Sequence, residues 1–180
     1  MEQIKELTKR LIANSFKELM MQVSFEKITI KMITDHANVI RPTFYNHFHD
    51  KYELVEWILK DEIINVAEKL MLEGKEEEGV RLIFLKFFED RGYYRKAFEI
   101  TGQNGFEITL SVLLSQMLSD IMAKNAKDNA VIPSDVACRY YSSGMITMLK
   151  MAISKDEDAA VEEFMNFYKY VMSHTIYEIF

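Results

Sequence analysis

The sequence predicts an all-α protein, and three observations support this fold class. The 180 residues include only six glycines and two prolines, so turn signals lie far apart. Hydrophobic residues make up 49% of the chain, and they recur at intervals of three and four residues instead of alternating. Long stretches are rich in Leu, Met, Lys and Glu, which favour helices. We expect about nine helices around a buried core.

The first three helices are predicted within the first 50 residues. Residues 4–21 form the first helix, with one apolar stripe that we expect to be buried. Thr29 suits the N-cap of a second helix of about two turns. Asn38 tolerates the left-handed backbone of a tight turn, and a third helix begins near Arg41 with Pro42 in its first turn. The apolar stripe of the first helix consists of Ile4, Leu7, Leu11, Phe16, Leu19 and Met20.

The later helices are predicted to be longer. Asp50 and Glu53 form the pattern of a capping box that opens a fourth helix, which ends near Leu72 ahead of the segment "EGKEEEG". The last helix is apolar around most of its circumference, which is typical of a helix buried on more than one side. Because it is terminal, we expect it to lie in an oligomer interface. After the fourth helix, the predicted segments are 80–90, 93–101, 106–124, 134–155 and 158–180.

The chain carries a net charge of -6, but its acids are unevenly distributed. Residues 1–60 hold nine Lys or Arg and eight Asp or Glu, whereas the remaining 120 residues hold 13 and 20. The N-terminal region is therefore the part suited to an anionic partner.

The single cysteine, Cys138, excludes an internal disulfide and is expected in the core. The N-terminus lacks a signal-peptide pattern and no apolar run is long enough to span a membrane, so we expect a cytoplasmic protein with no membrane partner.

The three N-terminal helices fit a helix-turn-helix unit, in which two short helices pack on a longer one. Its core is expected to contain Ile30, Ile33, Ala37, Val39, Phe44 and Phe48. Once these residues are buried, the other side chains of the third helix face outward. The side chains expected to meet base edges are Arg41, Pro42, Thr43 and Asn46. Those expected to meet phosphates are Thr29, Tyr45, His47 and Lys51, and Lys31 is a further residue expected to contact DNA.

Lys51 has a separate reason for its assignment to a phosphate. It is predicted in the first turn of the fourth helix, where a cation opposes the helix dipole. A cation at such a position indicates an anionic partner.

Other kinds of site are not supported by the sequence. His47 and His49 are two residues apart on a helix, where side chains point away from each other, so we predict no metal site. There is no Gly-rich phosphate loop and no nucleophile with a placed base. We therefore predict no catalytic residues, no cofactor and no enzyme activity.

The segment "TIKMITDHANVIRPTFYNHFHDKYELV" resembles the DNA-binding signature of the TetR family of bacterial transcription regulators. Asn38 stands in place of the usual turn Gly, Ile40 in place of the usual capping Ser or Asn, and Pro42 where Lys, Arg or Gly is commoner. Together with "RYYSSGMITMLKMAI", the segment is similar to the branch that regulates dihydroxyacetone kinase operons, with Ala152 in place of a frequent Trp. The matching positions are Thr29, Ile33, Ala37, Val39, Thr43, Phe44, Tyr45, His47, Phe48, Lys51 and Leu54.

The resemblance implies a domain organisation and a function. Residues 1–50 would form the helix-turn-helix DNA-binding domain, and residues 51–180 a helical ligand-binding and dimerisation domain. A homodimer would bind a double-stranded DNA operator as a repressor and respond to a small-molecule effector. Its two recognition helices would enter half-sites about 34–36 Å apart. The alternative is a protein-interaction co-regulator whose head no longer binds an operator, which the missing cap at Ile40 favours.

Two further groups of residues belong to the body that the resemblance implies. One is an aromatic and thioether cluster at helical spacing, which either lines an apolar ligand cavity or forms solid core. This cluster consists of Trp57, Phe84, Phe88, Tyr94, Phe98, Met117 and Met145. The other is the predicted dimer interface, which consists of Tyr141, Met145, Met148, Phe164, Phe167 and Val171.

Overall fold

The fold comes from a computed structural model that describes residues 2–124, 134–154 and 160–173. All regular secondary structure in these ranges is helical, which confirms the predicted all-α class. α4 continues through a π-helical segment, Lys60–Ile64, into α5. When this continuous stretch is counted once, the described ranges contain nine helices, apart from a short 3-10 turn at Phe25–Lys27. The α-helices are α1 (Glu2–Gln22), α2 (Ile30–His36), α3 (Arg41–Tyr45), α4 (Lys51–Leu59), α5 (Asn65–Leu72), α6 (Glu76–Glu89), α7 (Arg91–Ala97), α8 (Phe106–Lys124), α9 (Ser134–Ser154) and α10 (Ala160–Ser173).

The chain packs as two compact units. The first contains Met1–Asp61 and Gly92–Leu110, and the second contains Glu62–Arg91 and Ser111–Phe180. The division falls inside the π-helical segment and inside α8, and not at residue 50. The predicted boundary at residue 50 marks the end of the helix-turn-helix segment, but the unit that holds this segment extends further.

In the first unit, α1 packs against α2 and α4, and α2 packs against α3. The rings of Phe44 and Phe48 lie in contact at the centre of this packing, with their centroids 5.6 Å apart. Ile30 and Val39, predicted in the same core, are half-buried at its edge. The predicted helix-turn-helix core is confirmed at Ile33, Ala37, Phe44 and Phe48.

The buried stripe of α1 begins later than predicted. Ile4 and Leu7 are 69% and 70% exposed, and Leu11 is 47% exposed. Ile12 and Phe16 are fully buried. The helices that cover α1 therefore reach only its part from Ile12 onward, and the apolar residues of its first turns lie outside the core.

Two helix boundaries differ from the prediction. α6 begins at Glu76 and not at Val80, because the three glutamates of its first turn complement the positive end of the helix dipole. The break before α6 is made by Gly74, whose φ of 81° suits the end of a helix. α7 ends at Ala97 and does not reach Thr101.

In the second unit, α6 packs against α5, α9 and α10, and α9 packs against α10. Phe84 of α6 stacks on Phe164 of α10, with ring centroids 6.3 Å apart and an interplanar angle of 11°. Phe164 and Met145 are each only 5% exposed. Their assignment to a dimer interface is wrong, because both side chains lie on the inner sides of their helices.

The other predicted interface residues are accessible. Phe167 is 52%, Tyr141 43% and Val171 37% exposed, and Met148 is half-buried. The final helix was predicted to continue to residue 180. Its residues Ile176, Ile179 and Phe180 lie outside the described part of the chain.

The residues predicted to line a ligand cavity are divided between the two units. The first unit contains Trp57, Tyr94 and Phe98, and the second contains Phe84, Phe88, Met117 and Met145. In the first unit, Tyr94 and Phe98 pack on the ring of Phe106, at centroid distances of 6.1 and 4.9 Å. Phe84, Phe88, Tyr94, Met117 and Met145 are buried in the core of their units, whereas Trp57 and Phe98 are half-buried. The five buried side chains favour the solid-core alternative.

α8 is the one described helix that is long and apolar enough to cross a membrane, judged by length and composition alone. Only 28% of its apolar window is buried inside the protein, and the buried residues of the helix include Leu110, Leu114 and Met117. The core helix of a globular protein shows the same length and composition.

A test of the packing between α5 and α6 is the change Gly79→Ala. A Cβ at this position would lie 2.6 Å from Cγ of Met71 and 2.9 Å from the backbone oxygen of Ala67. Because a backbone atom cannot move aside, we expect a loss of about 1–3 kcal/mol in the free energy of unfolding, measured by urea denaturation. The control is Gly92→Ala, whose Cβ would meet only the end of the exposed Met21 side chain. Equal stability of the two variants would contradict the prediction.

Candidate nucleic-acid interface

Thr29 fixes the N-terminus of α2. Its side-chain oxygen accepts a hydrogen bond from the Met32 amide at 3.2 Å, so the predicted N-cap is confirmed. The residue is nevertheless exposed, and a contact to an anion is compatible with the cap. Lys31, two residues further on, is exposed and forms an ion pair with Asp35 of the same helix.

The turn between α2 and α3 has the predicted conformation. Asn38 has a φ of 52°, in the left-handed region where Asn replaces Gly at modest cost. Its amide donates to the carbonyl oxygen of Asp35, and the amide of Val39 donates to that of Thr34. Ala37, immediately before the turn, is 3% exposed, so a larger side chain would separate the two helices.

α3 is a single short helix with one buried and one exposed side. Ile40 is its N-cap and supplies no side-chain hydrogen bond, as predicted. Phe44 points inward and is fully buried. Thr43 is half-buried, so it is the least accessible of the predicted base contacts. The exposed side presents Arg41, Pro42, Tyr45 and Asn46.

Arg41 and Tyr45 form a pair on this exposed side. Nη2 of Arg41 donates to the hydroxyl oxygen of Tyr45 at 3.0 Å, and the guanidinium carbon lies 5.5 Å from the ring centroid. The sequence predicts separate roles for these residues, a base contact for Arg41 and a phosphate contact for Tyr45. Because of this contact, Arg41 and Tyr45 fix each other's orientation in the unbound protein.

His47 is half-buried directly after α3. Its ring lies 6.3 Å from that of Phe48, which anchors the segment in the core. Burial lowers the pKa of His47 below its ordinary value, and the positive charges of Lys9 and Lys5 lower it further, while Glu6 raises it. The imidazole is therefore held mainly neutral near pH 7, and it can donate a hydrogen bond from its N–H.

Lys51 has a different role from the predicted one. Its ammonium nitrogen donates to the carbonyl oxygens of Phe25 at 2.6 Å and Ile28 at 3.0 Å, and it lies 4.1 Å from the centroid of the Phe25 ring. Burial lowers the pKa of this ammonium, and the nearby Glu26 partly opposes the shift. The structure does not support the prediction that Lys51 faces a phosphate, because its ammonium group already donates to the carbonyl oxygens of Phe25 and Ile28.

The capping pattern that opens α4 is confirmed with one change. The Asp50 carboxylate accepts from the amides of Tyr52 and Glu53 at 2.8 and 2.9 Å. The Glu53 carboxylate reaches back to the amide of His49 and not to that of Asp50. The hydrogen bonds of the Asp50 and Glu53 carboxylates therefore fix the segment between α3 and α4 at the start of α4.

One residue of the exposed side was missed by the sequence analysis. Ile40 is 70% exposed immediately before α3, which is unusual for a large apolar side chain. Its position beside Arg41 makes it suitable for contact with a thymine methyl group. The sequence signal for this role is a large apolar residue at the N-cap of a helix, where a polar residue is usual.

These features define a helix-turn-helix DNA-binding protein. Residues 17–58 match the family described as "Bacterial regulatory proteins, tetR family". Residues 74–177 match the family described as "Transcriptional regulator C-terminal region". The chain belongs to the TetR family of bacterial DNA-binding transcription regulators, as predicted, and is not an enzyme.

Individual relatives agree with this assignment. The chain is 26% identical over 151 residues to the HTH-type dhaKLM operon transcriptional activator DhaS of Lactococcus lactis subsp. lactis (strain IL1403), covering 82% of this chain and 80% of the relative. A solved structure of the dihydroxyacetone kinase operon activator DhaS has a TM-score of 0.60 at 20% identity, over 89% and 93% of the two chains. RolR in complex with resorcinol has a TM-score of 0.56 at 21% identity, over 92% and 87%.

A test of the Lys51 contacts is the change Lys51→Met, which keeps the aliphatic stem and removes the ammonium. We expect a loss of about 1–3 kcal/mol in the free energy of unfolding, because the carbonyls of Phe25 and Ile28 lose a charged donor. The measurement is the midpoint of urea denaturation at unchanged slope. The control, Lys31→Met, removes only an exposed ion pair worth about 1 kcal/mol or less. A smaller effect of Lys51→Met than of the control would contradict the prediction.

Proposed function

We propose that the protein is a homodimer that binds a double-stranded DNA operator and responds to a small-molecule effector. The observation that carries the proposal is the exposed side of α3, with Arg41, Tyr45 and Asn46 turned outward. The opposite side of the helix is fixed by the buried Phe44 and Phe48. A helix held in this way presents its polar side chains to a major groove as a rigid unit.

The proposed contacts follow the chemistry of the exposed side chains. Arg41 matches the O6 and N7 acceptors of guanine, and Asn46 matches adenine. Ile40 and Pro42 add apolar surface at the start of the helix. The Tyr45 hydroxyl, which accepts from Arg41, still has its own hydrogen to donate to a phosphate oxygen.

A second copy of the chain is proposed to cover the outer sides of α9 and α10. Gly144, in the middle of α9, has nothing within 4 Å of the position of a Cβ, so packing inside the chain does not explain the glycine. A depression of about 730 Å³ lies beside it, between Tyr141, Met148, Tyr168 and Val171 among others. The exposed apolar residues of these helices include Tyr140, Tyr141, Met151, Phe167, Tyr170 and Val171.

The effector and the direction of control rest on the relatives. RolR is described with resorcinol bound, which supports a small-molecule effector for this chain as well. The family resemblance implies repression, whereas the relative from Lactococcus lactis is called an activator. That relative favours activation, and we propose activation in place of the expected repression. The protein is proposed to act on DNA in the cytoplasm.

A test of the reading side is selection of bound duplexes from a random library by the wild-type protein and by Arg41→Ala. We expect the wild type to enrich a paired half-site sequence. The variant should lose roughly tenfold to a hundredfold per half-site in preference for that sequence over random DNA, since each bidentate base contact is worth about 1–3 kcal/mol. The comparison variant, Tyr45→Phe, keeps the ring and Arg41 but removes the hydroxyl that accepts from Arg41. It should lose affinity for all sequences and should lose less sequence preference than Arg41→Ala. An Arg41→Ala protein with unchanged affinity and sequence preference would refute the proposed reading side.

A test of the dimer is the change Phe167→Glu, which places a charge in the proposed interface. We expect the wild type to have the mass of a dimer in light scattering after size exclusion, and the variant that of a monomer. The control is Leu85→Glu on α6, where the same change is made at a residue that is 39% exposed outside the interface. It should remain a dimer. A Phe167→Glu protein that keeps the wild-type mass would show that α10 is not in the interface.

A further inference from the structure

The inward-facing side of α1 changes from apolar to cationic towards its N-terminus. Residues 5, 9, 12 and 16 are spaced by four, three and four, so they lie on one side of the helix. On this side of α1, Ile12 and Phe16 lie in the core, and both are fully buried. Lys9 and Lys5 occupy the same side one and two turns earlier, outside the core.

This cationic part of α1 faces the residues that follow α3. The ammonium nitrogen of Lys9 lies 5.5 Å from the centroid of the Trp57 ring. Trp57 packs on Phe48 at 5.8 Å, and Phe48 packs on His47. Lys9 is thus linked to His47, directly after the recognition helix, through the rings of Trp57 and Phe48. The effect of Lys9 and Lys5 on the pKa of His47 is consistent with this placement.

The acids near this group do not neutralise it. The carboxylate of Glu6 is shared between two cations. One of its oxygens lies 3.8 Å from Nζ of Lys9 and the other 3.8 Å from Nε of Arg10, so both ion pairs are weak. Arg10 has a shorter contact with Asp61, at 3.2 Å. Among the described side chains, Lys5 forms no ion pair. Two lysines four residues apart near a helix N-terminus cost a few tenths of a kcal/mol each, through mutual repulsion and through the helix dipole.

We propose that Lys5, Lys9 and His47 together bind a backbone phosphate of the DNA, so that α1 contributes a contact of its own beside α3. The inference rests on the proposed function, because it adds a contact to the same complex. The two ammonium groups supply charge-assisted hydrogen bonds, and the imidazole N–H supplies a further donor. A phosphodiester is the matching ligand, since it carries one negative charge and accepts several hydrogen bonds without regard to sequence.

The test compares the salt dependence of DNA affinity for the wild type and the double variant Lys5→Gln/Lys9→Gln. The ligands are the selected duplex and a duplex of random sequence, both read by fluorescence anisotropy. We expect the plot of log affinity against log salt to become less steep by about two units, as for the loss of one phosphate contact in each protomer of the bound homodimer. Both duplexes should lose affinity by the same factor, so the sequence preference should stay unchanged.

A matched control removes two lysines elsewhere, with Lys86→Gln/Lys96→Gln on α6 and α7. It makes the same change in net charge and should keep the wild-type salt dependence. If the α1 variant also keeps the wild-type slope while the wild type binds its selected duplex, the α1 contact is refuted and the proposed function stands. If the wild type shows no salt-dependent binding to any duplex, both are refuted.

A second readout follows His47 by NMR in the full chain. In the free protein, Lys5→Gln/Lys9→Gln should raise the pKa of His47, because two neighbouring positive charges are removed. Binding of the selected duplex to the wild type should also raise it, because a phosphate stabilises the imidazolium. A His47 titration that is unchanged by the duplex would overturn the proposal. The midpoint of urea denaturation confirms that the variant is folded.

Discussion

The recognition helix depends on the contacts of one ammonium group. α3 has only five residues, which is too short for a helix to be stable without its neighbours. Lys51, at the start of α4, donates to carbonyls of the segment between α1 and α2. It therefore ties the chain on one side of α3 to the chain on the other. Phe44 and Phe48 fix the inner side of the helix within this closed segment, and the outer side is left for a partner.

The parts of this unit that depend on local chemistry were predictable from the sequence. The cap at Thr29 and the left-handed turn at Asn38 each involve groups within a few residues, so the residue types identify them. The role of Lys51 was not predictable in this way, because its acceptors lie 23 and 26 residues earlier in the chain. The same residue type at the same helix position fits a phosphate contact and a structural contact, and only the fold distinguishes the two.

Periodicity predicted which residues share one side of a helix, but not which side is buried. On α10, Phe164 and Phe167 are three residues apart and belong to one broad apolar surface in the sequence. The fold buries Phe164 against Phe84 and leaves Phe167 half exposed. On α1, the same limit made Ile4 and Leu7 resemble core residues. Burial depends on where neighbouring helices end, and that is information from packing between distant segments.

A chain with a net charge of -6 can approach DNA only if its cations are placed and left available locally. Lys51 is occupied by carbonyls, and Lys31 is paired with Asp35, so neither supplies an unshared charge beside α3. Arg41 is oriented by Tyr45 and suits a base more than a phosphate. In the proposed phosphate contact, the positive charge comes from Lys5, which forms no ion pair among the described side chains, and from Lys9, which shares Glu6 with Arg10. Both lysines lie on the side of α1 that becomes core further along the helix. Because Ile12 and Phe16 fix the rotation of α1 about its axis, they also determine the direction in which Lys5 and Lys9 face.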